Sequence, residues 1–298
     1  MNATRKTLTG KHILIILAII AFALLIAIPV SRYSSEVNGV SVFLAAAVLA
    51  FLIQWLAFIP AYLAQTEHFF DLTGSLTSIS LITAAYFLSP APDARALLLT
   101  VLVCMWALRL GCFLFLRVRK DGSDGRFDDI KPVWSRFLMT WTLQGLWIFI
   151  TLAAALAAVT SRHREPLDLV AWLGLSVWLL GFVLETVADA QKRAFRRNAQ
   201  NQHRFIDTGL WRWSRHPNYF GEILLWIGIA LIAAPSFQGW QWLTLISPVF
   251  VILLLTKISG IPMLEARAEK RWGNNKEYQL WKQKTARLIP LPPLKLPQ

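Results

Sequence analysis

Charge is scarce in this chain of 298 residues. Asp, Glu, Lys and Arg make up 16% of it, where a soluble domain carries about 25%. So few charges exclude a disordered chain and a nucleic-acid-binding domain of the usual charged kind. Cysteine is nearly missing. Cys104 and Cys112 share one apolar run and would stand about 12 Å apart along a helix, too far for a disulfide. There is no CxxC and no Cys/His spacing of a zinc site, so no metal is expected. There is also no GxGxxG after a strand and no GxxxxGK[ST]. A nucleotide cofactor would have to bind among helices rather than on a Rossmann sheet or a P-loop.

Apolar sequence is abundant. Hydrophobic residues reach 56% and the mean hydropathy is +0.49. Apolar segments recur near 13–30, 40–64, 72–88, 95–116, 135–159, 167–188, 220–235 and 240–257. A membrane-spanning helix needs about 20 such residues. The sequence thus predicts an all-α polytopic membrane bundle of about eight helices. Arg5, Lys6 and Lys11 precede the first segment and no small-x-small cleavage site follows it, so it reads as an uncleaved anchor.

The basic residues sort by side. With both termini placed in the cytoplasm, 25 of the 30 Lys and Arg fall on the inner side and four on the outer side, with Arg109 inside a span. This is the positive-inside pattern. It accounts for most of the formal charge of +13 without nucleic acid, and it makes membrane lipids the expected contacts of the basic loops. The inner loops 117–136 and 189–219 are long, so chemistry is expected at the cytoplasmic face. The tail 262–287 carries Trp272, Tyr278 and Trp281 and reads as an amphipathic helix on the inner surface or across the inner mouth. The Pro-rich end 290–297 reads as extended.

Charge inside a bilayer is costly and marks function or internal pairing. Arg109 lies in the fourth segment, Glu185 and Asp189 close the sixth, and Asp71, Glu222 and Glu265 border others. Pairing of Arg109 with one acid would explain a single such group. Five acids and one deep arginine at one leaflet favour a polar cavity. The stretch 181–222 is the densest in chemistry. Asp189, Lys192, Arg193 and Arg196 recur at helical spacing, and Arg204, Asp207, Trp211, His216, Asn218 and Tyr219 follow. Cations alone would suit lipid phosphates. Cations mixed with aromatic and hydrogen-bonding side chains suit a phosphorylated aromatic cofactor.

The segments ADAQKRAFRRN (188–198) and RHPNYFGE (215–222) resemble the C-terminal signature of the steroid 5-alpha-reductase and sterol reductase superfamily. The resemblance is strongest to the bacterial family DUF1295 and runs from about residue 45 to 290, which implies an additional N-terminal anchor over 1–39 and a reductase-like transmembrane domain over 40–298 with its cofactor region at 181–290. It implies a membrane reductase that transfers hydride from NADPH to an activated C=C bond of a lipophilic, steroid-, sterol- or isoprenoid-like substrate entering from the bilayer. The bacterial inner membrane is the implied location, and no obligatory protein partner is implied. Position by position, it implies cofactor contacts from Asp189, Lys192, Arg196 and Arg204 at the phosphate and ribose end. Trp211, His216, Asn218, Tyr219 and Glu222 fall at the nicotinamide end, with Glu265 and Tyr278 in a closing tail. Asp71 and Tyr219 are the implied catalytic residues. The family's Gln-Glu pair corresponds to Phe70-Asp71 and its proton-donating tyrosine to Trp106, which has no phenol to donate. Isoprenylcysteine and phospholipid methyltransferases share the TGLWRWSRHPNY-like half but lack the QKxxFR half. An S-adenosylmethionine-dependent methyltransferase is therefore the alternative, and a lipid-binding protein without catalysis the third reading.

Overall fold

The computed structural model describes residues 2–121, 125 and 127–294, with side chains at 9–112, 125 and 127–294. Arg5, Lys6, the cations of 117–120, Arg126 and the tail from 295 onward, all invoked above for charge asymmetry or for an extended end, lie outside the described side chains. Among the described residues there are ten α-helices. They are α1 (Asn2–Ser31), α2 (Val42–Leu63), α3 (Phe70–Leu88), α4 (Ala94–Asp121), α5 (Trp134–Val159), α6 (Leu169–Arg197), α7 (Pro217–Ala233), α8 (Ile246–Leu253), α9 (Ile261–Trp272) and α10 (Lys276–Lys284). One two-residue hairpin, β1 (Glu36–Val37) with β2 (Val40–Ser41), turns at Asn38-Gly39. Both turn residues have positive φ, as an Asn-Gly hairpin requires.

Seven helical stretches are long and apolar enough to cross a membrane: Thr9–Ser31, Val42–Leu63, Ala94–Cys112, Trp134–Val159, Leu169–Arg197, Pro217–Ser236 and Gly239–Trp272. The protein is a polytopic helical membrane protein. The sequence predicts about eight spans, and the third segment is the one that does not qualify. It forms α3, 19 residues long, but Thr73, Ser75, Thr77, Ser78 and Thr83 dilute its hydropathy. Their hydroxyls donate to carbonyls one turn back, such as Thr77 Oγ1 to Thr73 O at 2.7 Å and Ser78 Oγ to Gly74 O at 2.9 Å. Gln54 of α2 adds a bond to Thr77 at 2.8 Å. Hydroxyls satisfied within their own helix tolerate an apolar setting.

The chain divides into two compact units, Met1–Ala171 with Ile232–Ser247, and Trp172–Leu231 with Pro248–Gln298. In the first, α5 is the central helix, in contact with α1, α2, α3 and α4. Its run from Ile148 to Val159 is buried throughout. A helix apolar on every side has no solvent face to present, and the alanines at 153–155, 157 and 158 let neighbours approach closely. Arg95, expected in an outer loop, instead lies in the first turn of α4 and is 1% exposed. Its guanidinium donates to the carbonyls of Glu165 (3.1 Å), Pro166 (2.5 Å) and Ile232 (2.5 Å) and pairs with Asp168 at 3.2 Å. A planar fork of donors suits such a set. Lys131, expected as a loop cation, pairs at 2.7 Å with the buried carboxylate of Glu67.

In the second unit α6 and α7 meet backbone to backbone. A Cβ on Gly181 would sit 2.5 Å from the carbonyl of Gly221, and one on Gly228 would sit 2.6 Å from that of Gly174. Glycine at these crossing points permits the approach, and it fixes the register of Asp189 on α6 against Asn218 on α7. Beyond α8 the chain makes one π turn at Leu254–Ile258 and enters the polar tail. Where a single amphipathic helix is expected over 262–287, there are two. Gly273 ends α9, and Asn275 caps α10 by accepting from the backbone N–H groups of Glu277 and Tyr278.

Candidate functional site

The second unit holds a cavity of about 300 Å³ between the end of α6, the 204–216 loop, α9 and α10. That is near the lower end of the range for ligand pockets. Lys192 and Arg196 project from the last turns of α6, Arg204 and Arg215 from the loop, and Arg267 and Arg271 from α9. Six cations thus face one space, with Glu265 as the only acid in its lining.

Aromatic side chains make the rest of the wall. Trp211 is wedged behind α6, its indole N–H donating to Ala188 O at 3.0 Å, and Lys192 Nζ stands 4.5 Å over its ring. The loop that carries it turns at Gly209, whose φ is +60°. A side chain there would meet the Gln191 carboxamide at 2.5 Å, and that carboxamide accepts the Leu210 N–H at 2.9 Å. Phe205, Trp272, Tyr278 and Trp281 form one ring cluster, with Phe205 5.3 Å from both Tyr278 and Trp281. The tail is tied to the loop: Trp272 donates to His203 O at 2.8 Å, and Trp281 to Trp211 O at 3.3 Å. Burial raises the Tyr278 phenol above its usual pKa, so it stays protonated.

At the inner end Glu265 pairs with Arg215 at 2.9 Å and with Arg287 at 3.3 Å. His216 Nε2 lies 3.5 Å from the same carboxylate. Burial, with Lys192, Arg215 and Arg287 nearby, pushes the His216 pKa down to about 3. The ring is therefore neutral at physiological pH, and its approach to Glu265 is not an ion pair. Tyr219 stacks on it, with centroids 5.8 Å apart and planes at 13°. Asn218 donates to Asp189 at 3.3 Å. His216 Nε2 and Asn218 Oδ1 are both buried and make no hydrogen bond within the protein. Buried polar atoms of this kind normally have a partner.

Of the eleven residues expected at a cofactor, Lys192, Arg196, Arg204, Trp211, His216, Glu265 and Tyr278 line the cavity. Tyr219 stands behind that lining against His216, while Asp189 and Asn218 pair with each other outside it. Glu222 is one turn further along α7 and outside it. Asp71 lies in the first turn of α3, in the other unit. Arg267 and Arg271 line the cavity without having been singled out in the sequence. Leu264, Arg267, Ala268 and Arg271 recur at the spacing of one helix face, which is the signal that could have marked them.

A family model described as "Protein of unknown function (DUF1295)" matches residues 57–285. An uncharacterized protein of Schizosaccharomyces pombe is 26% identical over 188 residues, 51% of this chain and 54% of that protein. The 3-oxo-5-alpha-steroid 4-dehydrogenase 1 of Bos taurus is 34% identical over 69 residues, 23% of this chain and 26% of the enzyme. That of Mus musculus is 35% identical over 66 residues, 22% and 26%. The chain thus spans about half the length of the yeast relative and about a quarter of the mammalian ones. No solved structure matches. With the family's pattern running through most of its length, the chain belongs to the DUF1295 family and carries a short, partial likeness to the steroid 5-alpha-reductases.

Proposed function

We propose that the protein is an NADPH-dependent membrane reductase acting on an activated C=C bond of a lipophilic substrate. The observation that carries this reading is the cavity itself, in which six cations, a ring cluster and a neutral buried histidine face one space. The partial likeness to 3-oxo-5-alpha-steroid 4-dehydrogenases supports the reductase class.

When bound, the cofactor supplies the hydride. Lys192, Arg196 and Arg204 would hold its phosphates by charge-assisted hydrogen bonds. The aromatic wall excludes water. Asn218 Oδ1 offers an unfilled acceptor and His216 Nε2 an unfilled hydrogen-bonding atom, which suit a carboxamide or a ribose hydroxyl. Asp189 orients Asn218 through the 3.3 Å bond. The carbon that receives no hydride needs a proton, which we assign to Tyr219, whose ring stacks on His216 in the cavity lining. In this reading the cofactor enters from the cytoplasm and the substrate from the lipid; two cytoplasmic ends would require α3 to cross as well, as an eighth span. The membrane is the inner membrane of a bacterium. S-adenosylmethionine carries no phosphate and leaves most of the six cations unmatched, so the methyltransferase reading is weaker. Incubating the purified protein with both cofactors tests the choice. Retention of NADPH with micromolar-range affinity is expected. Retention of S-adenosylmethionine alone, or of neither, refutes the proposal.

A further inference from the structure

Beyond α10 the chain runs extended along the 213–215 segment. The N–H of Arg215 donates to Ala286 O at 2.8 Å, Ser214 Oγ to Leu288 O at 2.6 Å, and the N–H of Leu291 to Trp213 O at 3.1 Å. Successive side chains of an extended segment point to opposite faces. Residues 286, 288 and 290 are half-buried, whereas 287, 289 and 291 are exposed. In water the outward face would be polar. Here it reads Arg287, Ile289, Leu291, and Leu294 follows. Ile289 is 55% exposed, Leu291 54% and Leu294 65%, and Trp213, which holds the segment, is 46% exposed. Exposed Arg212 adjoins Trp213.

We propose that this outward face is an interfacial anchor lying in the headgroup layer of an anionic bilayer. Three aliphatic side chains and a tryptophan bordered by cations match that layer: tryptophan favours the interface, and arginine pairs with lipid phosphate. The spans of the same chain keep the segment at the membrane, so no diffusing partner is needed to cover it. The anchor does not depend on which cofactor binds. It does tether Ser214 and Arg215, and with them the cavity rim, to the lipid.

The test uses the full chain in nanodiscs, with Cys104 and Cys112 replaced and a single cysteine introduced as Ile289→Cys, Leu291→Cys or, for comparison, Lys276→Cys. An environment-sensitive fluorophore on each reports quenching by nitroxide-bearing lipids. Labels at 289 and 291 should be quenched about twofold more than at 276, and more by a nitroxide near the headgroup than by one at the chain end, as for a segment about 5–10 Å deep. Anionic phosphatidylglycerol should strengthen the quenching over phosphatidylcholine alone, and Arg212→Gln should reduce that increment. Equal quenching at 289 and 276 overturns the proposal. So does shielded emission at 289 without lipid quenching, which would mean that protein, such as a second copy, covers the face. If Ile289→Cys does not fold, Leu294→Cys gives the same reading.

Discussion

Replacing Lys192 with alanine separates a cofactor site from a merely basic surface. Lys192 is half-buried in the cavity wall, with Nζ 4.5 Å over Trp211. A charge-assisted hydrogen bond at such a place contributes about 1.5–3 kcal/mol. Partial burial places Lys192 in the upper half of that range, so Lys192→Ala should raise the NADPH dissociation constant about 40- to 150-fold. Trp211 keeps its indole bond to Ala188 and its burial, so the wall survives the loss of the cation above it. Arg196 also lines the cavity but is exposed, and solvent screening reduces its share to about three- to tenfold. Arg193 is exposed and outside the lining, and its replacement should change affinity less than about twofold. Calorimetric titration of NADPH into the three purified variants gives the ranking. Equal small effects at all three positions, or a loss for Arg193→Ala matching that for Lys192→Ala, would show that the cluster serves topology or lipid contact, and the cofactor assignment would fail.

His216 sets a pH dependence. Its folded pKa of about 3 lies below the unfolded value of about 6.5, so the unfolded chain binds a proton that the folded one refuses. Its contribution to stability is complete above pH 6.5 and declines by up to about 1.4 kcal/mol per pH unit as the pH falls toward 3. His216→Gln should flatten that part of the stability curve, followed by denaturant titration in detergent. At the helix crossing, Gly181→Ala or Gly221→Ala forces a methyl onto backbone at 2.5 or 2.6 Å and should cost about 1–3 kcal/mol, read as a lowered unfolding midpoint. Gly10→Ala, with nothing within 4 Å of the new carbon, should not lower it. Arg95→Met leaves three carbonyls without their donor and should cost about 3 kcal/mol or more, by the same measurement.

The membrane class and most of the spans were legible in the sequence because the bilayer imposes a local rule. A backbone that crosses hydrocarbon must pair with itself, and its side chains must be apolar over about 20 residues. Both requirements are written into contiguous residues, as in 42–63 or 134–159. The 181–222 stretch was legible for a related reason. Its cations and hydrogen-bonding groups are held by helix spacing on α6 and by the 198–216 loop that follows it directly, so sequence neighbours remain spatial neighbours.

Other features depend on residues far apart in the chain. The apolar run 72–88 reads as a span by length, but its serines and threonines lower the hydropathy of α3, and hydroxyls there are satisfied by its own carbonyls and by Gln54. Arg95 looked like a loop cation until its acceptors appeared, the most distant of them 137 residues away. Arg267 and Arg271 looked like surface charge on a polar tail. They join the cavity because Trp272 bonds to His203 O and Trp281 to Trp211 O, which brings α9 and α10 against the loop. Composition and period determine which segments are helical and which cross lipid, since each residue responds there to its own surroundings. Which polar groups become buried, and which cations share one cavity, was decided only by tertiary packing, because a charge's environment is made by the side chains that fold brings around it.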